Sequence, residues 1–154
     1  MGHWLMKSEP DAFGIEDLAK ARRKTTHWDG VRNYQARTYL RDGMRRGDLA
    51  FFYHSNCDEP AIVGIVEVVR AGYPDHTAFD ANDAHFDADS DPKQPRWFMV
   101  DVRLTRKLEQ PITLATLRNH SAGALKGLAL LRRGNRLSVM PVSVAHWKFI
   151  VGLV

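Results

Sequence analysis

Two short segments near the start of the chain combine aromatic rings with hydrogen-bonding side chains. The segment HWLMKSEPD (residues 3–11) reads as an apolar strand that ends in Lys7 and Ser8. The segment HWDGVRNYQAR (residues 27–37) places Trp28 directly before a polar Asp-Gly turn. Aromatic rings stack on flat heterocycles while fixed donors and acceptors bind their edges, so this combination is suited to holding a nucleobase. It does not by itself resemble a catalytic centre.

Basic side chains concentrate toward the two ends of the chain, whose net formal charge is +4. Lysine and arginine exceed aspartate and glutamate by 3 in residues 1–50 and by 7 in residues 101–154, whereas residues 51–100 carry a net charge of −6. Three basic clusters stand out, at residues 22–24, 45–46 and 132–136. Arginines at turn edges can bind phosphates, and they can equally serve as solubilising surface charge.

The sequence motifs give little support for metal binding, nucleophilic catalysis or a glycine-rich phosphate loop. The aspartates of DADSDP are spaced like the start of a calcium-binding loop, but Pro92 and Phe98 occupy the positions that need Gly and Glu. His54 and Cys57 lack a second pair of zinc ligands. Neither a G-x-S-x-G elbow nor a glycine-rich phosphate loop occurs. We therefore expect no metal, no cofactor and no catalytic residue.

Length and composition predict a single soluble domain over residues 1–154, with 44% hydrophobic and 26% charged residues. The longest apolar run is far shorter than a membrane span, and no secretory signal precedes the first strand. One cysteine excludes an internal disulfide and fits a reducing compartment. We expect a cytoplasmic protein, with nucleoid or nuclear association compatible with its charge.

Hydrophobic patterning predicts an α+β fold around a curved or barrel-like sheet. In the segment AFFYHS, strict alternation places Phe51 and Tyr53 on one face and Phe52 and His54 on the other. A long Gly/Pro/Asp-rich loop is predicted at residues 72–96. Strands are predicted at residues 3–7, 47–55, 61–69 and 96–108 and near residue 140, and helices at residues 15–22, 33–43 (capped by Asn33), 111–119 and after Ser143.

Six segments, in order, resemble the EVE domain of the thymocyte nuclear protein family: WLMKSEPD, WDGVRNYQAR, GDLAFFYHSNC, GIVEVV, PRWFMVDV and LLRRGNRLSVMPV. The resemblance implies a PUA-like fold, a mixed β-pseudobarrel with peripheral helices. It also implies similarity to the YTH domain, which reads a methylated base in an aromatic cage. On that basis Lys7 and Ser8 occupy the place of a strand-end pair beside the base, and Trp28 that of one cage wall.

These considerations give two sets of candidate site residues. The first would form the base pocket: Lys7, Ser8, Trp28, Asp29, Asn33 and Tyr34, with Phe52, Tyr53, His54 and Trp97 as candidates for the remaining walls. The second would contact phosphates: Arg32, Arg37, Arg132, Arg133 and Arg136.

The favoured hypothesis is a non-catalytic reader of DNA or RNA that accepts a modified base, such as a methylated or hydroxymethylated cytosine or a methylated adenine. One alternative is an enzyme that acts on a nucleoside or small heterocycle in the same pocket, with Lys7 as a chemical participant. A third possibility is a peptide-binding module dominated by the acidic residues of the 80–91 region.

Overall fold

The computed structural model describes residues 2–154, which form a mixed sheet with helices packed around it. The strands are β1 (His3–Ser8), β2 (Thr25–His27), β3 (Leu49–His54), β4 (Ala61–Pro74), β5 (Phe98–Thr113) and β6 (Val139–Pro141). The α-helices are α1 (Ile15–Lys20), α2 (Tyr34–Thr38), α3 (Leu114–Arg118) and α4 (Val144–Val151).

The six strands lie in the order β2-β5-β4-β3-β1-β6. β1 pairs with β3 in parallel, and the other neighbours pair antiparallel. Within residues 2–154, β2 and β6 form the two edges and do not pair with each other, so the sheet curves without closing. This arrangement confirms the predicted α+β fold with a pseudobarrel-like sheet.

Two hydrophobic cores lie on opposite faces of β3, as its alternation predicts. Ala50 and Phe52 belong to a cluster that also contains Trp28, which we call the near core. Phe51 and Tyr53 belong to a cluster that also contains Trp147, which we call the far core. Because successive strand residues point to opposite faces, the near core and the far core are separated by the thickness of the sheet.

Local signals at the helix termini agree with the structure. Asn33 caps α2, and its Oδ1 accepts a hydrogen bond from the backbone N–H of Ala36 at 3.0 Å. The chain then continues through a wider helical turn, Tyr39–Gly43, so the predicted 33–43 helix is confirmed in two parts. Ser143 caps α4 by accepting from the N–H of His146 at 3.1 Å, and α4 buries Trp147 against the far core.

Three features differ from the sequence-based expectation. β2 was not predicted, because three residues are too few for an alternating pattern. β4 runs to Pro74, which pairs with Phe98, so the predicted 72–96 loop begins as strand. The helix predicted from residue 111 starts only at Leu114, because β5 continues through Ile112, whose buried side chain joins the far core.

Candidate functional site

A cleft of about 650 Å³ opens where the end of β1 faces the segment that follows β2. Five residues predicted to form the site line it together: Lys7, Ser8, Trp28, Asp29 and Arg32. The other lining residues are Glu9, Ala12, Phe13, Thr26, His27, Gly30, Val31, His85 and Ser138. The two N-terminal segments therefore meet in space, although residues 12–26 separate them in the sequence.

Trp28 forms a rigid aromatic wall of the cleft. Its backbone N–H donates to the carbonyl oxygen of Val100 at 2.7 Å, which extends the β2–β5 pairing by one residue. Its indole ring packs edge-on against Phe52, with 5.3 Å between the ring centroids. With 7% of its surface exposed, Trp28 is anchored in the near core while it borders the cleft.

Lys7 and Ser8 reach the cleft because β1 ends there. The backbone N–H of Lys7 donates to the carbonyl oxygen of Ser138 at 2.8 Å, and the Ser8 hydroxyl donates to the carbonyl oxygen of Phe13 at 2.6 Å. Partial burial lowers the pKa of the Lys7 amine. None of the ion pairs formed among residues 2–154 includes Lys7, so its ammonium group can donate to a ligand.

Asp75 is a fully buried carboxylate that fixes the segment after Trp28. Its Oδ2 accepts from the N–H of Gly30 at 2.8 Å and from Arg32 Nη1 at 3.0 Å, and its Oδ1 accepts from Thr77. Burial alone would raise the pKa of Asp75, but the hydrogen bonds from Thr77, Gly30 and Arg32 outweigh it and hold that pKa below its ordinary value. The carboxylate is therefore charged and compensated.

His85 brings the 80–91 region to the rim of the cleft. Arg32 donates to the carbonyl oxygen of His85 at 2.6 Å through Nη2, and His85 Nδ1 lies 3.8 Å from an Asp29 carboxylate oxygen. Gly30 has φ of +80°, and a Cβ there would lie 2.6 Å from the His85 ring. Both the backbone conformation and the close imidazole thus require glycine at this position.

Six of the ten predicted pocket residues lie outside the residues that line this cleft. Four of them, Asn33, Phe52, Tyr53 and His54, pack in the two cores or fix helix starts. Phe52 is fully buried behind Trp28, and Tyr53 packs in the far core. His54 Nε2 accepts a hydrogen bond from the N–H of Ile15 at 3.1 Å, which fixes the start of α1. Asn33 is occupied as the cap of α2.

Tyr34 and Trp97 form a second aromatic pair beside the cleft. Their rings stack with centroids 4.9 Å apart, and Tyr34 is 56% exposed. Trp97 Nε1 donates to Asp87 Oδ2 at 2.6 Å, which connects the 80–91 region to the residue before β5. Arg37 lies over the Tyr34 ring at 5.1 Å and donates to the carbonyl oxygen of Arg96 at 2.9 Å.

The remaining predicted phosphate contacts, Arg132, Arg133 and Arg136, are exposed on the turn that leads to Ser138 at the cleft. Asn135 orders this turn, since its side-chain amide donates to the carbonyl oxygen of Ala129 at 2.8 Å. Their role as phosphate contacts remains a prediction.

Sequence reasoning missed two residues that shape the cleft, Asp75 and His85. Both lie in an Asp-rich stretch that reads as solvated loop, and their partners are more than 40 residues away in sequence. One local signal exists for Asp75: an aspartate two residues before a threonine can accept from that residue's backbone N–H, and Asp75 Oδ1 accepts from the Thr77 N–H at 2.9 Å.

The α-helices among residues 2–154 are short, with eight residues at most in α4. No helix in this part of the chain is both long and apolar enough to cross a membrane. No group of three or more His, Cys, Asp or Glu side chains among these residues is arranged to hold a metal ion.

An open mixed sheet with a cleft at the end of its parallel strand pair defines a small α+β pocket protein. The sequence profile of the EVE domain matches residues 2–153, and the chain belongs to the EVE domain family. It is 45% identical to human thymocyte nuclear protein 1 over 166 residues, which covers 98% of this chain and 73% of that protein.

Solved structures show the same similarity. The structure of human THYN1 in complex with 5-methylcytosine-containing DNA superposes with a TM-score of 0.95 at 44% identity, covering 99% of this chain and 97% of that one. A Pseudomonas syringae protein matches with a TM-score of 0.91 at 44% identity, covering 98% of both chains.

Proposed function

We propose that this protein binds DNA and accommodates a modified base, with 5-methylcytosine the foremost candidate, in the cleft lined by Trp28. The base is held without being chemically altered. The observation that carries the proposal is the meeting of one aromatic wall with Lys7 and Asp29 in a single cleft. Support also comes from the 5-methylcytosine-containing DNA bound by human THYN1, which shares 44% of its sequence with this chain.

The chemistry of the lining matches the edge of a cytosine. Asp29 is an acceptor suited to the exocyclic amine, and Lys7 is a donor suited to the ring nitrogen and carbonyl oxygen. Stacking on Trp28 contributes about 1–3 kcal/mol per base. Phe13 and Val31 supply apolar surface for a methyl group, and one methyl group changes affinity by only about 1–3 kcal/mol.

Charge within the cleft is balanced, as a neutral base requires. Lys7 and Arg32 face Glu9 and Asp29, and Arg32 is already paired with Asp75. A base must leave its stack to enter such a pocket, at a cost of a few kcal/mol that stacking on Trp28 offsets in part.

The test is fluorescence-anisotropy binding to matched oligonucleotides that differ only in one base: cytosine, 5-methylcytosine, 5-hydroxymethylcytosine or N6-methyladenine, in DNA and in RNA, at one salt concentration. We expect the tightest binding to methylcytosine DNA. Trp28→Ala should weaken binding to that probe about 5- to 150-fold, the equivalent of about 1–3 kcal/mol.

Trp147→Phe is the control, because it alters an equally buried tryptophan outside the cleft. It should keep both the affinity and the preference for the modified base. A folded Trp28→Ala protein that binds every probe as the unaltered protein does would overturn the proposal. Equal affinity of the unaltered protein for all four bases would do the same.

The partly buried Lys7 favours one second candidate, an enzyme acting on a nucleoside in the same cleft. A lysine whose pKa is lowered by burial is more readily deprotonated and can serve as a nucleophile or base. Mass spectrometry of free 5-methylcytidine and its deoxy form, incubated with the protein and with Lys7→Met, separates the two functions. A mass change that depends on Lys7 would establish the enzyme.

A further inference from the structure

A second cleft, of about 660 Å³, adjoins the first on the other side of β2. Thr26 and His27 line both clefts, so the short strand β2 forms the wall between them. The second cleft is bounded on its far side by β4 and β5, through Tyr73 and Arg103. The two clefts therefore lie side by side, with β2 between them.

The two clefts differ in charge. Three arginines line the second cleft, Arg22, Arg23 and Arg103, against one carboxylate, Asp101. Asp101 already accepts a short hydrogen bond from the Tyr73 hydroxyl. The net positive lining suits an anion, whereas the balanced first cleft suits a neutral group.

Arg22 and Arg23 are available to a ligand. None of the ion pairs formed among residues 2–154 includes either of them, whereas Arg103 pairs with Glu67 at 3.0 Å. Two of the five arginines predicted from sequence to bind phosphate are already occupied: Arg32 pairs with Asp75 and Arg37 donates to a backbone carbonyl. Unpaired cationic charge therefore lies on the far side of β2 as well as at Lys7 within the first cleft.

The backbone that carries these arginines is held in an uncommon conformation. Arg23 and Lys24 have φ of +56° and +52°, in the left-handed region that side chains other than glycine rarely adopt. The Thr25 hydroxyl donates to the carbonyl oxygen of Arg23 at 2.9 Å and helps to hold this turn. Such local strain costs about 1–3 kcal/mol, persists only where the surrounding structure holds it, and is enriched at ligand-binding sites.

We infer that this second cleft binds backbone phosphates of the strand whose base enters the first cleft, with Arg22 and Arg23 as the contacts. The inference rests on the proposed function for the identity of the ligand, a nucleic-acid strand that places a base in the first cleft. Arginine is suited to this task because its guanidinium group can bind two phosphate oxygens at once.

The test compares the unaltered protein with Arg22→Gln/Arg23→Gln on two single-stranded DNA probes. One carries 5-methylcytosine, and the other carries an abasic site at that position, so that it offers phosphates but no base. We expect the double variant to bind both probes about tenfold more weakly at low salt. The slope of log affinity against log salt should become shallower by about 1.4, that is, by about 0.7 for each phosphate that an arginine no longer neutralises.

Arg45→Gln/Arg46→Gln is the matched control, an exposed arginine pair with the same charge change outside both clefts. Equal losses of affinity in the two double variants would overturn the inference, since they would indicate general attraction by surface charge. An unchanged slope in Arg22→Gln/Arg23→Gln would also overturn it. Thermal melting checks that both variants fold.

Failure of the base-reading proposal gives a different result. One outcome is that the unaltered protein shows no preference for methylcytosine, while Arg22→Gln/Arg23→Gln, but not the control variant, binds the abasic probe more weakly. That outcome would support the phosphate site and refute the base pocket. If the methylcytosine preference is intact while Arg22→Gln/Arg23→Gln changes neither probe, the phosphate site is refuted alone. The same probes made as RNA distinguish the two sources of phosphate.

Discussion

Trp28 and Trp147 have the same exposure, 7%, and pack against adjacent phenylalanines of one strand, yet their surroundings differ. Trp147 stacks on Phe51 at 3.9 Å, and His3 covers it at 4.7 Å. Trp28 meets Phe52 edge-on at 5.3 Å and borders the cleft. Exposure alone therefore does not distinguish a tryptophan that completes a core from one that forms a binding wall.

The difference arises from the backbone that carries each ring. Trp147 lies on α4, whose apolar face closes the far core. Trp28 lies at the end of the three-residue strand β2, directly before the turn that Asp75 holds in place. A helix supplies apolar neighbours on one continuous face, whereas a strand that ends in a polar turn leaves one side of the ring beside charged groups.

The largest expected effect is a loss of stability when Trp147 is replaced. Trp147→Ala removes a ring that is covered on both sides, and we expect it to lower the free energy of unfolding by about 3–5 kcal/mol. Trp28→Ala should cost less, since water in the existing cleft can fill the space. Urea unfolding of both variants measures the difference. Equal losses of stability would mean that Trp28 is an ordinary core residue.

The next largest effect is expected at Asp75, the buried carboxylate that holds the turn after Trp28. Asp75→Asn leaves Arg32 without its ion-pair partner and replaces one acceptor by an amide that cannot accept from Gly30 and Thr77 together. We expect a decrease of about 3 kcal/mol in unfolding free energy and weaker binding of methylcytosine DNA, because the turn after Trp28 loosens.

Asp48→Asn is the control for that prediction. Asp48 is also buried and accepts from Trp4 Nε1 at 3.0 Å and from the N–H of Arg45 at 2.9 Å, away from the cleft. It should lower stability without changing base preference at a temperature where the protein is folded. A loss of preference in Asp48→Asn would show that the cleft responds to general destabilisation.

A smaller effect is expected to differ between Phe52 and Phe51, which lie on opposite faces of β3. Phe52→Leu and Phe51→Leu should lower stability by similar amounts, about 1–2 kcal/mol each, since both remove ring carbons from fully buried sites. Only Phe52→Leu removes the edge-on partner of Trp28, an interaction worth about 0.5–1.5 kcal/mol. Binding of methylcytosine DNA should therefore weaken in Phe52→Leu alone. Equal binding by the two variants would contradict a supporting role for Phe52.

Most features that depend on a local sequence pattern can be predicted from the sequence, whereas contacts between residues far apart in the sequence cannot. Strand alternation correctly separates Phe51 from Phe52, and the motif residues Lys7 and Trp28 do meet in one cleft. Nothing local indicates that Asp75 binds Gly30, 45 residues away in sequence. Nor does the local pattern indicate that Tyr34 stacks on Trp97, which is distant in sequence.

The smallest effect is a dependence of stability on pH at His54. Burial lowers the pKa of His54 below its ordinary value of 6.5. Its Nε2 is unprotonated when it accepts from the Ile15 N–H. Between the native pKa and 6.5 the unfolded chain binds a proton that the native protein does not, so stability falls as pH is lowered through this range. Above about pH 6.5 this contribution is complete.

The measurement is the melting temperature from pH 7.5 to pH 5, for the unaltered protein and for His54→Gln. Glutamine can accept from the Ile15 N–H without titrating, so the variant should lose His54's share of the slope. A smaller slope should persist, since burial also lowers the pKa of His3. His54 and Phe52 share the near face of β3, and His54 accepts from the N–H of Ile15, the first residue of α1 and two residues after Phe13. Acid should therefore weaken the cleft wall at Phe13 before it affects the far core. Identical pH profiles for the two proteins would refute this link between His54 and the cleft.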